Sequence, residues 1–172
     1  MPVYALGDQV PRIDPTAYVH PDCVIMGDVT IGAEASIWPG AVLRGDDGGI
    51  VVGARTSIQD GSVIHTTAQF PTKVGSDCVI GHIVHLEGCT IHDGALVGSG
   101  SVVLHGAQVH TGALVGANAV VPNGMEVPSG AMALGIPAKI KPNSVNPLQI
   151  SMGVEFYVAR GKRYAAELRR ID

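Results

Sequence analysis

Arg44, His65 and Glu87 each directly follow an aliphatic residue of a repeating pattern, and His82 lies five residues before Glu87. Two imidazoles and one carboxylate form a ligand set that Zn²⁺ accepts while a fourth position stays open for water. Non-haem Fe(II) uses the same set. These residues are the first candidates for a metal site, and the elements that carry them decide whether they can meet.

A six-residue aliphatic period runs through most of the chain, and a small residue usually lies two places before each aliphatic one. Alternate residues of a short strand share a face, so both residues point inward. Three six-residue units would close a triangular coil of eighteen residues. The pattern predicts an all-β fold, a left-handed parallel β-helix of hexapeptide repeats over residues 1–148. The inward aliphatic positions are Ile13, Val19, Ile25, Ile31, Ile37, Leu43, Val52, Ile58, Ile64, Val74, Ile80, Leu86, Ile91, Val97, Val103, Val109, Val115, Val121 and Val127.

The chain changes character after this repeat. Pro137, Pro142 and Pro147 indicate a linker without regular structure. Apolar residues then recur with a helical period from about Met152 to Arg170. We expect residues 149–172 to form a C-terminal α-helix that packs on the outside of the β-helix.

The three cysteines fit the same register, because Cys23, Cys78 and Cys89 each lie two places before an inward aliphatic residue. An odd number of cysteines argues against a full disulfide framework. We interpret them as small core residues. A redox or nucleophilic role is the minor alternative.

Two insertions in the repeat determine which residues stack. The step from Leu43 to Val52 is nine residues instead of six, and the step from Ile64 to Val74 is ten. Residues one coil apart lie about 4.8 Å from each other. Corrected for the insertions, the stacking places Arg44, His65 and Glu87 in one column, and Asp60 beside His82. His82 lies on the preceding edge of the triangle, so only a neighbouring subunit of a threefold assembly would bring it to the column.

Composition excludes several classes of function. The net charge is −4 with no basic patch, which argues against nucleic acid and anionic membranes as partners. The start of the sequence has no secretory pattern, and no apolar run is long enough to span a bilayer. The positive mean hydropathy therefore indicates a buried core. We expect a cytoplasmic protein.

The segments Leu43–Asp46 (LRGD) and Thr56–Gly61 (TSIQDG), with His65 and Ile80–His82 (IGH), are similar to the γ-class carbonic anhydrase family. The similarity covers nearly the whole chain. The stretch Gly135–Lys139 is less specific, because hexapeptide acyltransferases share it. The resemblance implies a homotrimer with metal sites between subunits, Zn²⁺ as the metal with Fe²⁺ or Co²⁺ as alternatives, and CO₂ and bicarbonate as substrates.

The resemblance places metal ligands at His65, His82 and position 87. The family has His at position 87, whereas this chain has Glu87 and a new histidine at His85. The stacking favours Glu87 over His85 as the third ligand, and a metal-free site is the remaining alternative. A glutamate ligand would make a metal-bound water less acidic than a third neutral imidazole would.

The resemblance also implies roles for residues around the metal. Arg44 and Asp46 correspond to the pair that holds the trimer interface, and Gln59 to the residue that orients the metal-bound hydroxide. Asp60 corresponds to an interface partner of arginine, and Tyr157 to a helix tyrosine near the pocket. Asp47 stands where some members carry an acidic proton shuttle.

Three functions follow as hypotheses. The first is a zinc-dependent lyase that hydrates CO₂. The second is a non-catalytic metal-binding or scaffold trimer descended from such an enzyme. The third, ranked last, is an acyltransferase, because no acceptor site typical of that class is visible. His20, His92, His105 and His110 are interpreted as surface residues without a role.

Overall fold

The computed structural model describes residues 2–172 and consists of a β-solenoid followed by one helix, which confirms the predicted left-handed parallel β-helix. Its core is a continuous column of small and aliphatic side chains, and residues such as Ile25, Leu43 and Ile64 are fully buried. The three cysteines are buried in the same core, as predicted, and their thiols are free.

Two sheets build the walls of the solenoid. The first has 12 strands: β1 (Val3–Tyr4), β2 (Arg12–Ile13), β4 (Val24–Ile31), β6 (Val42–Val52), β8 (Val63–His65), β9 (Thr72–Val74), β11 (His85–Glu87), β12 (Thr90–Ile91), β14 (Val102–Val103), β15 (Gln108–Val109), β17 (Val120–Val121) and β18 (Glu126–Val127). The second has 8 strands: β3 (Tyr18–Val19), β5 (Ser36–Ile37), β7 (Ser57–Ile58), β10 (Val79–Ile80), β13 (Leu96–Val97), β16 (Leu114–Val115), β19 (Met132–Leu134) and β20 (Lys139–Lys141). All ladders are parallel except the last, where β20 returns antiparallel along β19.

The larger sheet covers two walls because β4 and β6 run continuously around one corner. β6 pairs with β8 through Val42–Arg44 and with β9 through Ile50–Val52. The predicted three-residue insertion lies between these two parts, inside β6. The insertion therefore puts Asp46 and Asp47 on a corner beside the column that contains Arg44.

The second insertion forms a loop between β8 and β9, and hydrogen bonds hold it in shape. Thr67 and Phe70 bridge each other through their backbones, and Thr66 Oγ1 donates to the Phe70 carbonyl oxygen at 2.9 Å. Gly48 has φ +116°, and a Cβ there would lie 2.7 Å from the Thr67 carbonyl oxygen. The two inserted segments thus pack against each other, and this contact requires glycine at position 48.

The C-terminal helix α1 spans Pro147–Glu167, so it begins two residues before the predicted range 149–172 and ends five residues before the end of that range. The sequence places Pro147 in a linker, but proline suits the first helical turn, where its missing N–H is not needed. Asn146 caps the helix by accepting a hydrogen bond from the Leu148 amide at 3.1 Å. Ile150, Val154 and Val158 pack on Val79 of the smaller sheet.

Candidate functional site

The predicted column exists in the structure. Arg44 is the ladder partner of His65, and His65 is the ladder partner of Glu87. His65 Nδ1 lies 3.2 Å from Glu87 Oε1, and His65 Nε2 lies 3.3 Å from Asp46 Oδ1. Arg44 forms an ion pair with Asp46. The imidazole of His65 therefore lies between two carboxylates and forms a hydrogen bond with Glu87, whereas the buried Asp46 Oδ1 has no hydrogen-bond partner among residues 2–172.

Glu87 accepts from more than one imidazole. His85 Nε2 lies 3.0 Å from Glu87 Oε2, because the two residues flank Leu86 in β11 and both point outward. His105 Nε2 lies 3.5 Å from Glu87 Oε1. One carboxylate thus faces three histidines, His65, His85 and His105.

His105, interpreted from the sequence as a surface residue without a role, is a further member of this site. The step from Leu86 to Ile91 is one residue short, so the ladder partners of β11 lie seventeen residues further on, with Leu86 beside Val103. The stacking rule that joined Glu87 to His65 therefore reaches Leu104 and not His105. His105 instead reaches Glu87 from the turn that follows β14, a contact that residue counts along the repeat do not predict. Nδ1 of His105 forms no hydrogen bond with any residue from 2 to 172, so this nitrogen is free to exchange a proton.

The charge on the two carboxylates is stabilised by their neighbours. A hydrogen bond from His85, opposed by partial burial and reinforced by His65, lowers the pKa of Glu87 below its usual range. Burial raises the pKa of Asp46, but hydrogen bonds, chiefly from Arg44, outweigh it and lower that pKa overall. Both groups are therefore anionic at neutral pH.

The remaining predicted residues form a second group on another wall. His82 Nδ1 lies 2.9 Å from Asp60 Oδ2, as the stacking predicted, and both side chains are about half exposed. Gln59 precedes Asp60 and is buried. Tyr157 packs edge-on to Trp38, and burial raises its pKa. Asp60 pairs with His82 and not with an arginine of the same chain.

The structure therefore separates the predicted metal ligands: His65 and Glu87 lie in the column, and His82 lies beside Asp60 on another wall. Among residues 2–172 of one chain, no group of three or more His, Cys, Asp or Glu side chains is arranged to hold a metal ion. Glu87 is also occupied as the acceptor for His65 and His85. Within a single chain, the donor set of His65, His82 and Glu87 does not fit a metal.

A groove of about 700 Å³ opens beside the column. Its walls include Asp47, Phe70 of the inserted loop, and His105. The Phe70 and His105 ring centroids lie 5.4 Å apart. The volume falls in the range of small-molecule sites, so His105 joins the charged column to a space where a ligand can bind.

A parallel solenoid built from six-residue repeats defines the class of hexapeptide-repeat proteins. The model of the family described as bacterial transferase hexapeptide, six repeats, matches residues 11–45, 71–105 and 88–123. The chain belongs to the bacterial transferase hexapeptide family.

Several proteins are similar to this chain. The carnitine operon protein CaiE of Escherichia coli is 45% identical over 104 residues, which are 60% of this chain and 53% of CaiE. The chain thus spans about half the length of the curated relatives it matches. A Bacillus cereus structure, the product of the BC4754 gene and provisionally assigned as an acetyltransferase, is 34% identical with a TM-score of 0.92, covering 94% of this chain and 95% of that one. A hexapeptide transferase family protein from Anaplasma phagocytophilum is 36% identical with a TM-score of 0.91, covering 95% and 98%.

No helix among residues 2–172 has the length and apolar character needed to span a membrane.

Proposed function

We propose that this protein is an acyltransferase in which His105 acts as the general base. The observation that carries the proposal is the position of His105, which lines the groove while its Nε2 faces Glu87 Oε1 at 3.5 Å. A carboxylate behind one ring nitrogen favours the tautomer with the proton on that nitrogen and stabilises the imidazolium that forms when the other nitrogen takes a proton. The similarity to the Bacillus cereus protein supports the same class of reaction.

The proposed step uses an acyl thioester of coenzyme A, the common carrier of acyl groups. An amine or hydroxyl of the acceptor loses its proton to Nδ1 of His105 as it attacks the thioester carbonyl carbon. The carbon–sulfur bond then breaks, the thiolate leaves and takes the proton back, and the acyl group stays on the acceptor. Glu87 balances the positive charge that His105 carries between the two proton transfers.

Acetyl-CoA and a panel of amines and alcohols test this proposal through the release of free thiol. The wild-type protein should release thiol with at least one acceptor, and His105→Ala should be slower by about 10²–10⁴-fold, the usual contribution of a general base. His92→Ala is the matched control, because His92 stacks on His110 and takes no part in the column. Thiol release that is absent throughout, or equal in wild type and His105→Ala, contradicts the proposal.

A second candidate function is metal-dependent hydration of CO₂, and the His82–Asp60 contact favours it. Histidines that bind a metal usually donate their other ring nitrogen to a carboxylate, and His82 Nδ1 meets Asp60 in this way. His65 Nδ1 meets Glu87 similarly. The function requires a neighbouring subunit of a homotrimer to bring its own copy of His82 to the column, since one chain does not complete the ligand set.

Elemental analysis of protein purified without added metal tests this candidate together with a CO₂ hydration assay. Stoichiometric zinc, iron or cobalt per chain and activity in the wild type would support it. Activity that appears only in Glu87→His would indicate that the native protein lacks catalytic activity and acts as a scaffold. Glu126→His is the matched control, because Glu126 contacts His110 and not the column. Wild type and Glu87→His that both lack metal and activity contradict the candidate.

A further inference from the structure

An exposed aromatic ring, that of Phe70, lies in the wall of the groove beside His105. Phe70 is 40% exposed, although hydrogen bonds within the inserted loop fix its backbone. A Cβ at Gly88 would lie 2.6 Å from both the Phe70 Cβ and the His105 Cδ2. The backbone of Gly88 therefore lies directly against Phe70. The Phe70 ring faces the groove and is not packed in the core.

The charge in the groove is negative. Asp47 lies in the wall, is exposed, and forms no ion pair or hydrogen bond with any residue from 2 to 172. No Lys or Arg lines the groove among the described residues, and His105 is the only other titratable group in the wall. The groove therefore offers a carboxylate and an aromatic ring without a cation to hold phosphate or carboxylate groups.

We infer that this groove binds a small molecule that carries a positively charged ammonium group, seated between the face of Phe70 and the carboxylate of Asp47. An aromatic face attracts a cation through its quadrupole, and quaternary ammonium ligands are recognised in this way. The lack of Lys and Arg argues against the phosphate groups of coenzyme A as occupants of this space. The inference rests on the proposed function in one respect, namely that the bound ammonium compound is the acyl acceptor.

Calorimetric titration of the full chain with choline tests the inference without any turnover. 3,3-Dimethylbutanol has the same shape with a carbon in place of the nitrogen, and thus no charge. Choline should bind at least about tenfold more tightly than this neutral probe. Phe70→Leu and Asp47→Asn should each weaken choline binding about threefold to tenfold while leaving the neutral probe unaffected or only slightly changed.

The matched controls are Tyr4→Leu and Asp8→Asn, which remove an exposed aromatic ring and an exposed carboxylate outside the groove. Neither control should change choline binding. Equal binding of the two probes, no binding of choline, or full binding by Phe70→Leu and Asp47→Asn would each overturn the inference. Choline binding without acyl transfer would count against the proposed function alone, and acyl transfer to uncharged acceptors without choline binding would count against this inference alone.

Discussion

Glu87 is the residue on which the charged column depends. Its two oxygens face His65, His85 and His105 at 3.0–3.5 Å, and no other carboxylate in residues 2–172 faces as many imidazoles. In the carbonic anhydrase pattern that the sequence resembles, this position is a neutral histidine. The change to glutamate places a negative charge among histidines, which suits proton transfer better than metal binding within one chain.

Glu87→Gln should therefore lower the rate of the proposed acyl transfer about 10-fold to 100-fold while the fold stays intact, since the amide keeps the shape and removes the charge that stabilises protonated His105. Initial rates of thiol release and circular dichroism give the two measurements. Glu126→Gln removes a glutamate that contacts His110 on another wall and should leave the rate unchanged. Equal rates for Glu87→Gln and wild type would show that the charge plays no part.

The cysteines permit a test of the core that is independent of function. Burial raises the pKa of the Cys23 and Cys78 thiols to about 11 and that of Cys89 to about 12. The thiolate is the reactive form, so the native protein should resist labelling by a disulfide reagent at pH 8, whereas the unfolded chain, with thiol pKa values of about 8.5, should label at all three sites.

The raised thiol pKa values make the stability of the folded protein depend on pH. A thiol whose pKa is raised by folding ionises more readily in the unfolded chain, so its contribution to stability is complete below about pH 8.5 and declines toward pH 11. Rapid labelling of the native protein at pH 8 would contradict the interpretation of these cysteines as inert core residues.

At the scale of elements, aromatic rings attach the helix α1 to the solenoid beside the aliphatic contacts of Ile150, Val154 and Val158. Trp38 is buried against Tyr18, Tyr157 and Tyr164, with ring centroids 5.2–5.8 Å apart. Trp38 Nε1 also donates to the hydroxyls of Ser36 and Ser57 at 3.0 Å. One side chain of the solenoid therefore joins both halves of the helix to the smaller sheet.

Trp38→Ala should release the helix before it unfolds the solenoid. Loss of a buried tryptophan removes about 3–5 kcal/mol, and the coils of a repeat protein depend mostly on their nearest neighbours. Trypsin should then cleave at Arg160, Lys162 and Arg163 much faster than in wild type. Met152→Ala, which alters an exposed side chain of the same helix outside the ring cluster, is the control. Equal cleavage of the two variants would show that the ring cluster does not hold the helix.

The elements differ in how far the sequence could predict them. The aliphatic period and its two insertions were sufficient for the coils and for the register of Arg44, His65 and Glu87, because a solenoid converts residue counts directly into positions. The start of α1 could not be obtained in this way, since Pro147 has opposite meanings in a linker and in a first helical turn. The contact from His85 to Glu87 depends on side-chain rotamers, which a residue count does not contain.

At the scale of the whole molecule, the two groups of polar residues lie on different walls of one solenoid. The column around Glu87 and the His82–Asp60 pair do not meet within a chain. We expect a threefold assembly to bring them together across subunits. Hexapeptide-repeat proteins commonly form trimers, and both candidate functions are compatible with such an assembly.

Ile83 offers a direct test of that assembly. It follows His82, is 73% exposed, and has φ +56°. A β-branched residue in this left-handed region is strained by about 1–3 kcal/mol, and an exposed one gains nothing from core packing in return. A neighbouring subunit that covers the His82 wall would bury Ile83 and offset the strain.

Ile83→Asp should then convert a particle of three times the 17.7 kDa chain mass into monomers, as measured by sedimentation equilibrium. Ile136→Asp replaces an isoleucine that is also 73% exposed but lies beyond the last coil, and it should leave the mass unchanged. A trimer that survives Ile83→Asp, or one that is lost equally with Ile136→Asp, would place the subunit contact on a different wall.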